Sequence, residues 1–194
     1  MSKTWSAYLL DSLVRLDNAK LRRQRRVFDS AGILDFGSND YLGLRAHPQV
    51  LAALQSASRA AWGSGASPVL SGYTAEHAAL ERALADFAAA PDALLFSSGY
   101  ACNVGTVACL AGQGDLLLSD QLNHASLIDG CRLSRAHTQV FPHGDVDFLR
   151  RLLRAQRTRY DKVLLLSESI FSMDGDAAPL IDLVALAEQY DCGL

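Results

Sequence analysis

The chain has 194 residues, 49% of them hydrophobic and 20% charged, which is the composition of an ordinary globular protein. Its net charge of −3 gives no general attraction to nucleic acid or to an anionic membrane surface. The four cysteines form no Cys-x-x-Cys pair, no stretch resembles a signal peptide, and the aliphatic runs are far shorter than a membrane span. We therefore expect a soluble cytoplasmic protein without nucleic-acid or membrane partners.

A long first helix is predicted over residues 3–26, where leucines recur near helical spacing. The segment from Lys20 to Arg26 at its end is strongly basic. Three interpretations of this segment stay open: a solvated helix end whose cations suit the helix dipole, a nucleic-acid contact, or an arginine that binds a substrate anion. Nucleic-acid binding is the weakest of the three, because no aromatic side chains alternate with the charges.

The next part of the chain alternates short elements with turns. A short strand is predicted over residues 33–36, and a helix with a proline in its first turn over residues 48–62. Residues 63–72 are too rich in glycine and serine for a regular element. Thr74 is predicted to be the N-cap of a further helix that ends near residue 89.

From residue 93 onward, aliphatic strands alternate regularly with amphipathic helices. The predicted strands cover residues 93–96, 116–118, 138–141 and 162–166, and the helices that follow them begin near residue 100 and cover 123–135, 146–155 and 180–190. This alternation predicts an α/β fold with a mostly parallel sheet covered by helices on both faces.

Small, polar and ionisable residues follow each predicted strand. They are Ser97 to Tyr100, Ser119 to His124, His143, and Ser167 to Gly175. Ligands of open α/β sheets bind outside the carboxyl ends of the strands, so these residues are the first place to look for a site. Contact with water explains part of this polarity, but the concentration of serine, glycine and histidine favours a ligand site.

Two features of this edge have both a functional and a structural interpretation. The junction from Ser97 to Tyr100 offers free N–H groups at a helix start, which suits an anion, although an ordinary turn can have the same sequence. His124 suits stacking on a flat cofactor ring, or simply caps a helix. No P-loop, dinucleotide fingerprint, hydrolase elbow or zinc-binding pattern occurs, and the histidines share no ligand spacing, so no metal is expected. A phosphate-bearing cofactor is the remaining option.

Four blocks of the sequence resemble the signature blocks of the α-oxoamine synthase family, in the family's order and spacing. The blocks cover residues 36–44, 98–103, 122–127 and 168–176. The resemblance implies an enzyme with the aspartate aminotransferase-like fold that uses pyridoxal 5'-phosphate (PLP) to condense an amino acid with an acyl thioester and release carbon dioxide. It also implies an N-terminal arm over residues 1–45 and, over 46–194, a large PLP-binding domain whose C-terminal part, with the small domain, is missing.

Within the family, residues 63–72 and 173–180 most resemble the member that joins L-alanine to a pimeloyl thioester in biotin biosynthesis. The thioester carrier, CoA or a carrier protein, stays open. The alternatives are another family member, such as the one that uses glycine and acetyl-CoA, a non-catalytic partner subunit, and a plain Rossmann-like binding domain.

The resemblance assigns roles to residues that the strand ends had already singled out. Gly99 and Tyr100 would contact the cofactor, His124 would stack on its pyridine ring and lie near the substrate, and Ser172 would hydrogen-bond the cofactor. Glu168 would help to hold the catalytic site.

Other implied features lie in the arm or beyond the chain. Arg22 would meet a substrate carboxylate, and Asn39 would touch the substrate. The Schiff-base lysine would lie beyond the segment that matches residues 192–194, because Lys3, Lys20 and Lys162 are not in a matching position. We therefore expect residues 1–194 alone to be inactive. The family is homodimeric, with sites at the subunit interface, so the resemblance also implies a homodimer.

Overall fold

A computed structural model of the protein describes residues 4–25, 27, 32–59 and 63–194. The chain divides into two compact units, Met1–Gly63 and Ser64–Leu194. The boundary that the resemblance implies near residue 45 stays a prediction. None of the helices in the described part is long and apolar enough to cross a membrane.

The first unit begins with helix α1, Trp5–Asn18, which Thr4 caps by accepting a hydrogen bond from the Ala7 N–H at 3.3 Å. The predicted continuation toward Arg26 is wrong for the described residues up to 25, and Arg26 itself, like Lys3, lies outside them. Lys20 has a left-handed backbone (φ 56°), and the Leu21 N–H donates back to the Leu16 carbonyl at 2.9 Å. This closing motif ends the helix at Asn18, before the basic segment begins.

The rest of the first unit contains less regular structure than the sequence predicts. Residues 33–36 form no β-ladder with any described residue, so the predicted strand is wrong. A strand exists only where a neighbour accepts and donates its hydrogen bonds, and an apolar pattern cannot supply that neighbour. Helix α2, Pro48–Ala57, begins at the predicted proline and ends five residues before the predicted end, which lies outside the described residues.

The second unit opens with a turn and a capped helix. The predicted irregular stretch contains one wide helical turn, Pro68–Gly72, closed by the Gly72 N–H on the Ser67 carbonyl at 3.0 Å. Helix α3, Ala75–Phe87, has Thr74 as its N-cap, which confirms that prediction. The predicted strand over residues 93–96 is wrong: the Leu95 N–H donates to the Glu81 carboxylate at 2.9 Å and not to a neighbouring strand.

The remainder of the second unit is the predicted alternating fold. Its elements are α4 (Gly99–Leu110), β1 (Leu116–Asp120), α5 (Ala125–Ser134), β2 (His137–Phe141), α6 (Val146–Gln156), β3 (Val163–Leu166) and α7 (Leu180–Tyr190). The three strands are parallel, in the order β2-β1-β3. Beside β3, the Leu165 N–H donates to the Gly193 carbonyl at 2.8 Å, so the pairing continues on that side.

The central strand β1 separates two hydrophobic layers. Leu116 and Leu118 pack among residues of α6 and α7, while Leu117 packs among residues of α4 and α5, and all three are fully buried. Side chains alternate between the faces of a strand, so a wholly apolar strand requires cover on both faces. The predicted arrangement of helices on both faces of a parallel sheet is therefore confirmed.

Candidate functional site

The three strands end side by side at one edge of the sheet, which we call the carboxyl edge. Asp120 pairs in register with Phe141, and Ser119 with Leu166, so the segments that follow β1, β2 and β3 leave from the same edge. The polar groups that the sequence placed after these strands therefore share one rim, as the predicted topology requires.

The start of α4 supplies free backbone donors. Ser98 is the N-cap, and its hydroxyl accepts a hydrogen bond from the Ala101 N–H at 3.1 Å. The N–H groups of Gly99 and Tyr100 belong to the first turn, where a helix has no internal acceptor for them. A Cβ added at Gly99 would meet nothing within 4 Å, so the space beside this residue is open. A phosphate group fits this position.

The Tyr100 side chain is held by α5. Its hydroxyl donates to the Asp129 carboxylate, and this hydrogen bond raises the pKa of Tyr100 and keeps the pKa of Asp129 below its usual value. The two helices approach closely at Gly130, where an added Cβ would lie 2.9 Å from the Cβ of Val107. The absence of a side chain at Gly130 thus brings Tyr100 and Asp129 within bonding distance.

His124 has the capping role that the structural interpretation gave it, and its ring is also placed for a ligand. Its Nδ1 accepts from the Ser126 N–H at 3.2 Å and lies 2.7 Å from the Ser126 hydroxyl. That hydroxyl accepts from the Asn103 side chain at 2.9 Å, so it is free to donate to Nδ1. The neutral ring then carries its proton on Nε2. The exposed ring stands edge-on to that of Tyr100, with centroids 6.5 Å apart.

Two contacts join the ends of β1 and β3 beneath His124. The backbone N–H of His124 donates to the carboxylate of Glu168, and the Asn123 amide donates to the Leu166 carbonyl at 2.8 Å. Asn123 is buried, and its Oδ1 has no hydrogen-bond partner in the described part of the chain. Most buried acceptors are paired, so this oxygen is an exception among the described residues.

Ser172 lies in the segment that follows β3. Residues 169–178 fold back on themselves, with an antiparallel bridge between Ile170 and Ala177, and Ser172 is exposed near the tip. The structure thus links Tyr100, His124 and Glu168 by direct contacts and puts Ser172 in a segment that leaves from the same edge. The convergence of Gly99, His124 and Ser172 on one cavity stays a prediction.

The substrate-contact candidates of the arm lie in the first unit. Arg22 pairs with Asp17 at 2.7 Å, and Asn39 is exposed. Their roles stay predictions.

Sequence reasoning missed several residues that hold the candidate site together. Ser126 and Asp129 orient the His124 ring and the Tyr100 hydroxyl, and Asp176 pairs with His143. Ser126 lies in the block 122–127, and its spacing from a histidine N-cap was a usable signal. Asp129 carried no such signal, because its partner is 29 residues away on another helix.

Residues 31–193 match the aminotransferase class I and II family, which is more than half of the chain, and the protein belongs to that family. It is 49% identical over 203 residues to 8-amino-7-oxononanoate synthase of Burkholderia thailandensis, a match that covers 97% of this chain and 51% of that protein. The chain thus spans about half the length of the curated relatives it matches.

Solved structures show the same fold. A serine palmitoyltransferase variant from S. paucimobilis with bound PLP-myriocin aldimine matches with a TM-score of 0.81 and 28% identity, over 98% of this chain and 53% of that one. 8-Amino-7-oxononanoate synthase from Francisella tularensis matches with a TM-score of 0.63 and 28% identity, over 80% and 43%. The predicted aspartate aminotransferase-like fold is confirmed.

Proposed function

We propose that this chain is part of a PLP-dependent 8-amino-7-oxononanoate synthase. The reaction joins Cα of L-alanine to the acyl carbon of a pimeloyl thioester, pimeloyl-CoA or a pimeloyl-carrier protein, and releases carbon dioxide and the thiol. It is an acyl transfer in biotin biosynthesis. The observation that carries the proposal is the joined set of Tyr100, His124 and Glu168 at the carboxyl edge, in a chain 49% identical to enzymes of that name.

The residues at this edge fit the cofactor. The free N–H groups of Gly99 and Tyr100 would hold the phosphate at the positive end of α4, where a glycine lets it approach the backbone. When bound, PLP supplies an electron sink for the substrate Cα.

The protein's own residues would orient the reacting groups. Ser126 fixes the His124 ring through Nδ1, which leaves the ring faces and the Nε2 proton available to the cofactor and the substrate. Glu168 fixes the backbone of His124 and so holds the ring in place. Ser172 would add a hydrogen bond to the cofactor, and the ring of Tyr100 would lie beside the pyridine.

The remaining roles rest on the resemblance alone. Arg22 would bind a substrate carboxylate, Asn39 would contact the substrate, and a homodimer in the cytoplasm would complete the enzyme. Residues 1–194 by themselves should show neither turnover nor the absorbance of lysine-bound PLP, since no lysine occupies a matching position. A borohydride-stable PLP adduct at one lysine of this chain, coupled to activity, would contradict that expectation.

The proposal is tested with the protein expressed from its complete coding sequence. We expect saturable PLP binding, and formation of 8-amino-7-oxononanoate from L-alanine and pimeloyl-CoA or a pimeloyl-carrier protein. His124→Ala should weaken PLP binding, whereas His47→Ala, at an exposed histidine of the first unit, should not. Faster turnover of glycine with acetyl-CoA would favour 2-amino-3-ketobutyrate CoA ligase. Activity only in the presence of a homologous subunit would favour a non-catalytic partner.

A further inference from the structure

His143, which follows β2, lies between two carboxylates at the carboxyl edge. Its Nδ1 is 2.9 Å from Oδ1 of Asp120, and its Nε2 is 2.7 Å from Oδ2 of Asp176. A neutral imidazole has one N–H and can donate to only one of these oxygens, whereas the protonated ring donates to both. The hydrogen bonds to Asp176 and Asp120 accordingly raise the pKa of His143, and the bond from His143 lowers the pKa of Asp176.

One of these carboxylates is a fixed anchor. Asp120 is the last residue of β1, and its side chain is 2% exposed. It also accepts hydrogen bonds from the N–H groups of Leu122 at 2.8 Å and Gly144 at 3.1 Å. Gly144 has a left-handed backbone (φ 66°), a conformation that suits glycine. Asp120 therefore holds the segments after β1 and β2 together, and His143 with them.

The other carboxylate belongs to the turn that carries Ser172. The Phe171 N–H donates to the Asp176 carbonyl at 2.9 Å, and the Gly175 N–H donates to the Phe171 carbonyl at 2.8 Å. The Phe171 ring is buried and stands edge-on to His143, with ring centroids 4.4 Å apart. His143 therefore contacts both arms of the turn, one through a ring and the other through an ion pair.

We propose that His143 is a positioning residue of the candidate cofactor site: together with Asp120 and Asp176 it clamps the turn 171–176 to the ends of β1 and β2, and so fixes the place of Ser172. The clamp itself follows from the contacts above. Its consequence for PLP rests on the proposed function, because it requires that Ser172 meet the cofactor.

The clamp has a defined pH dependence. The charged groups that contact His143 in the described structure are Asp120 from β1 and Asp176 from the turn. Because the folded pKa of His143 is raised, its contribution is complete below the unfolded value of about 6.5 and is lost as the pH rises through the folded pKa. Alkaline pH should therefore release the turn and leave the hydrophobic layers intact.

Amide hydrogen exchange in the apo form of the full-length protein tests the clamp. In the wild type, protection of the Phe171 and Gly175 amides should fall as the pH rises through the folded pKa of His143, beyond the general base catalysis of exchange. His143→Gln should reduce this protection about tenfold at neutral pH and abolish the added pH dependence. Asp176→Asn, at a half-exposed side chain, should move the transition to lower pH. Asp174→Asn, at an exposed carboxylate of the same turn, is the matched control and should leave the transition in place.

Equilibrium PLP titration then separates positioning from simple stabilisation. His143→Gln and Asp176→Asn should each raise the Kd for PLP several-fold with the apo melting temperature nearly unchanged, while Asp174→Asn should not. Unchanged exchange in both clamp variants would overturn the clamp. Lost protection with an unchanged Kd would overturn the positioning role. A wild type that shows the clamp but does not bind PLP would overturn the proposed function, and with it the cofactor consequence, while the clamp itself would stand.

Discussion

The two ends of β1 each carry a buried aspartate, and the two aspartates have different surroundings. Asp115 directly precedes the strand, and Asp120 is its last residue. Asp115 accepts from the Gly112 N–H at 2.8 Å and pairs with the Lys162 ammonium at 3.2 Å. Asp120 accepts from two backbone N–H groups and from His143, which also contacts the turn that bears Ser172.

This difference favours the carboxyl end of β1 as the candidate ligand site. At the amino end, Lys162 also donates to the Leu110 carbonyl at 2.9 Å. The polar groups there therefore pair with one another. The cavity of about 400 Å³ that these residues line lies at that end, away from the polar groups of the carboxyl edge. At the carboxyl end, free N–H groups and exposed rings remain available. Backbone donors and rings left free after folding, more than cavity volume, mark the candidate site.

The largest expected effect on the free energy of unfolding is at the carboxyl end of β1. Asp120→Ala would leave two backbone donors and the His143 ring without their buried acceptor, and should lower the free energy of unfolding by about 3–5 kcal/mol. Denaturant titration of the apo protein measures this change. Asp147→Ala, at an exposed carboxylate of α6, should change it by about 0.5 kcal/mol or less. Equal losses in the two variants would contradict the anchoring role of Asp120.

A smaller effect is expected at the amino end. Asp115→Ala removes the acceptor for the Gly112 N–H and should cost about 1–3 kcal/mol of unfolding free energy. The Kd for PLP should stay within about twofold of the wild type, because distant sites act independently. A large loss of PLP affinity with little loss of stability would contradict the proposal that only the carboxyl end of β1 serves the cofactor.

A third prediction concerns the ring of His124. Asparagine is itself a good N-cap, so His124→Asn should keep the helix α5 capped and the apo melting temperature nearly unchanged. Loss of an aromatic contact of about 0.5–1.5 kcal/mol should weaken PLP binding by roughly 2- to 12-fold and raise the KM for alanine. Unchanged binding and kinetics in a folded variant would leave His124 with its capping role alone.

The smallest expected effect is the change with acid pH in the contribution of Asp115, at the amino end of β1, to the free energy of unfolding. The Gly112 N–H and Lys162 keep the pKa of Asp115 below its usual value. Its contribution to stability is therefore present above the unfolded value of about 3.9 and is lost as the pH falls through the lowered folded pKa. The difference in unfolding free energy between wild type and Asp115→Asn should shrink as the pH is lowered from 5 to 2. A constant difference across this range would show that Asp115 is not ionised in the folded protein.

The sequence predicted the core of the fold better than its periphery. The helix Leu180–Tyr190 was predicted to the residue, and all three strands that pair within the described chain were found. Strands β1 and β3 are buried aliphatic runs, whereas β2 is largely exposed and apolar only at its end. The strands predicted over 33–36 and 93–96 failed, since local composition cannot show whether a neighbouring strand exists. The first helix ends before its predicted end at residue 26, because Lys20 adopts a left-handed conformation that is uncommon for lysine and could not be predicted from its residue type.

The sequence by itself determined the α/β class, the polar carboxyl edge and the residues Gly99, His124, Glu168 and Ser172 as candidates. Periodicity and motif order are local properties of the chain, so they can be inferred without coordinates. Only the tertiary structure decided that Ser126 fixes the His124 ring, that Asp129 holds Tyr100, and that His143 lies between Asp120 and Asp176. These contacts depend on angstrom-scale distances between groups as far as 33 residues apart, and those distances are set by how the helices and strands pack.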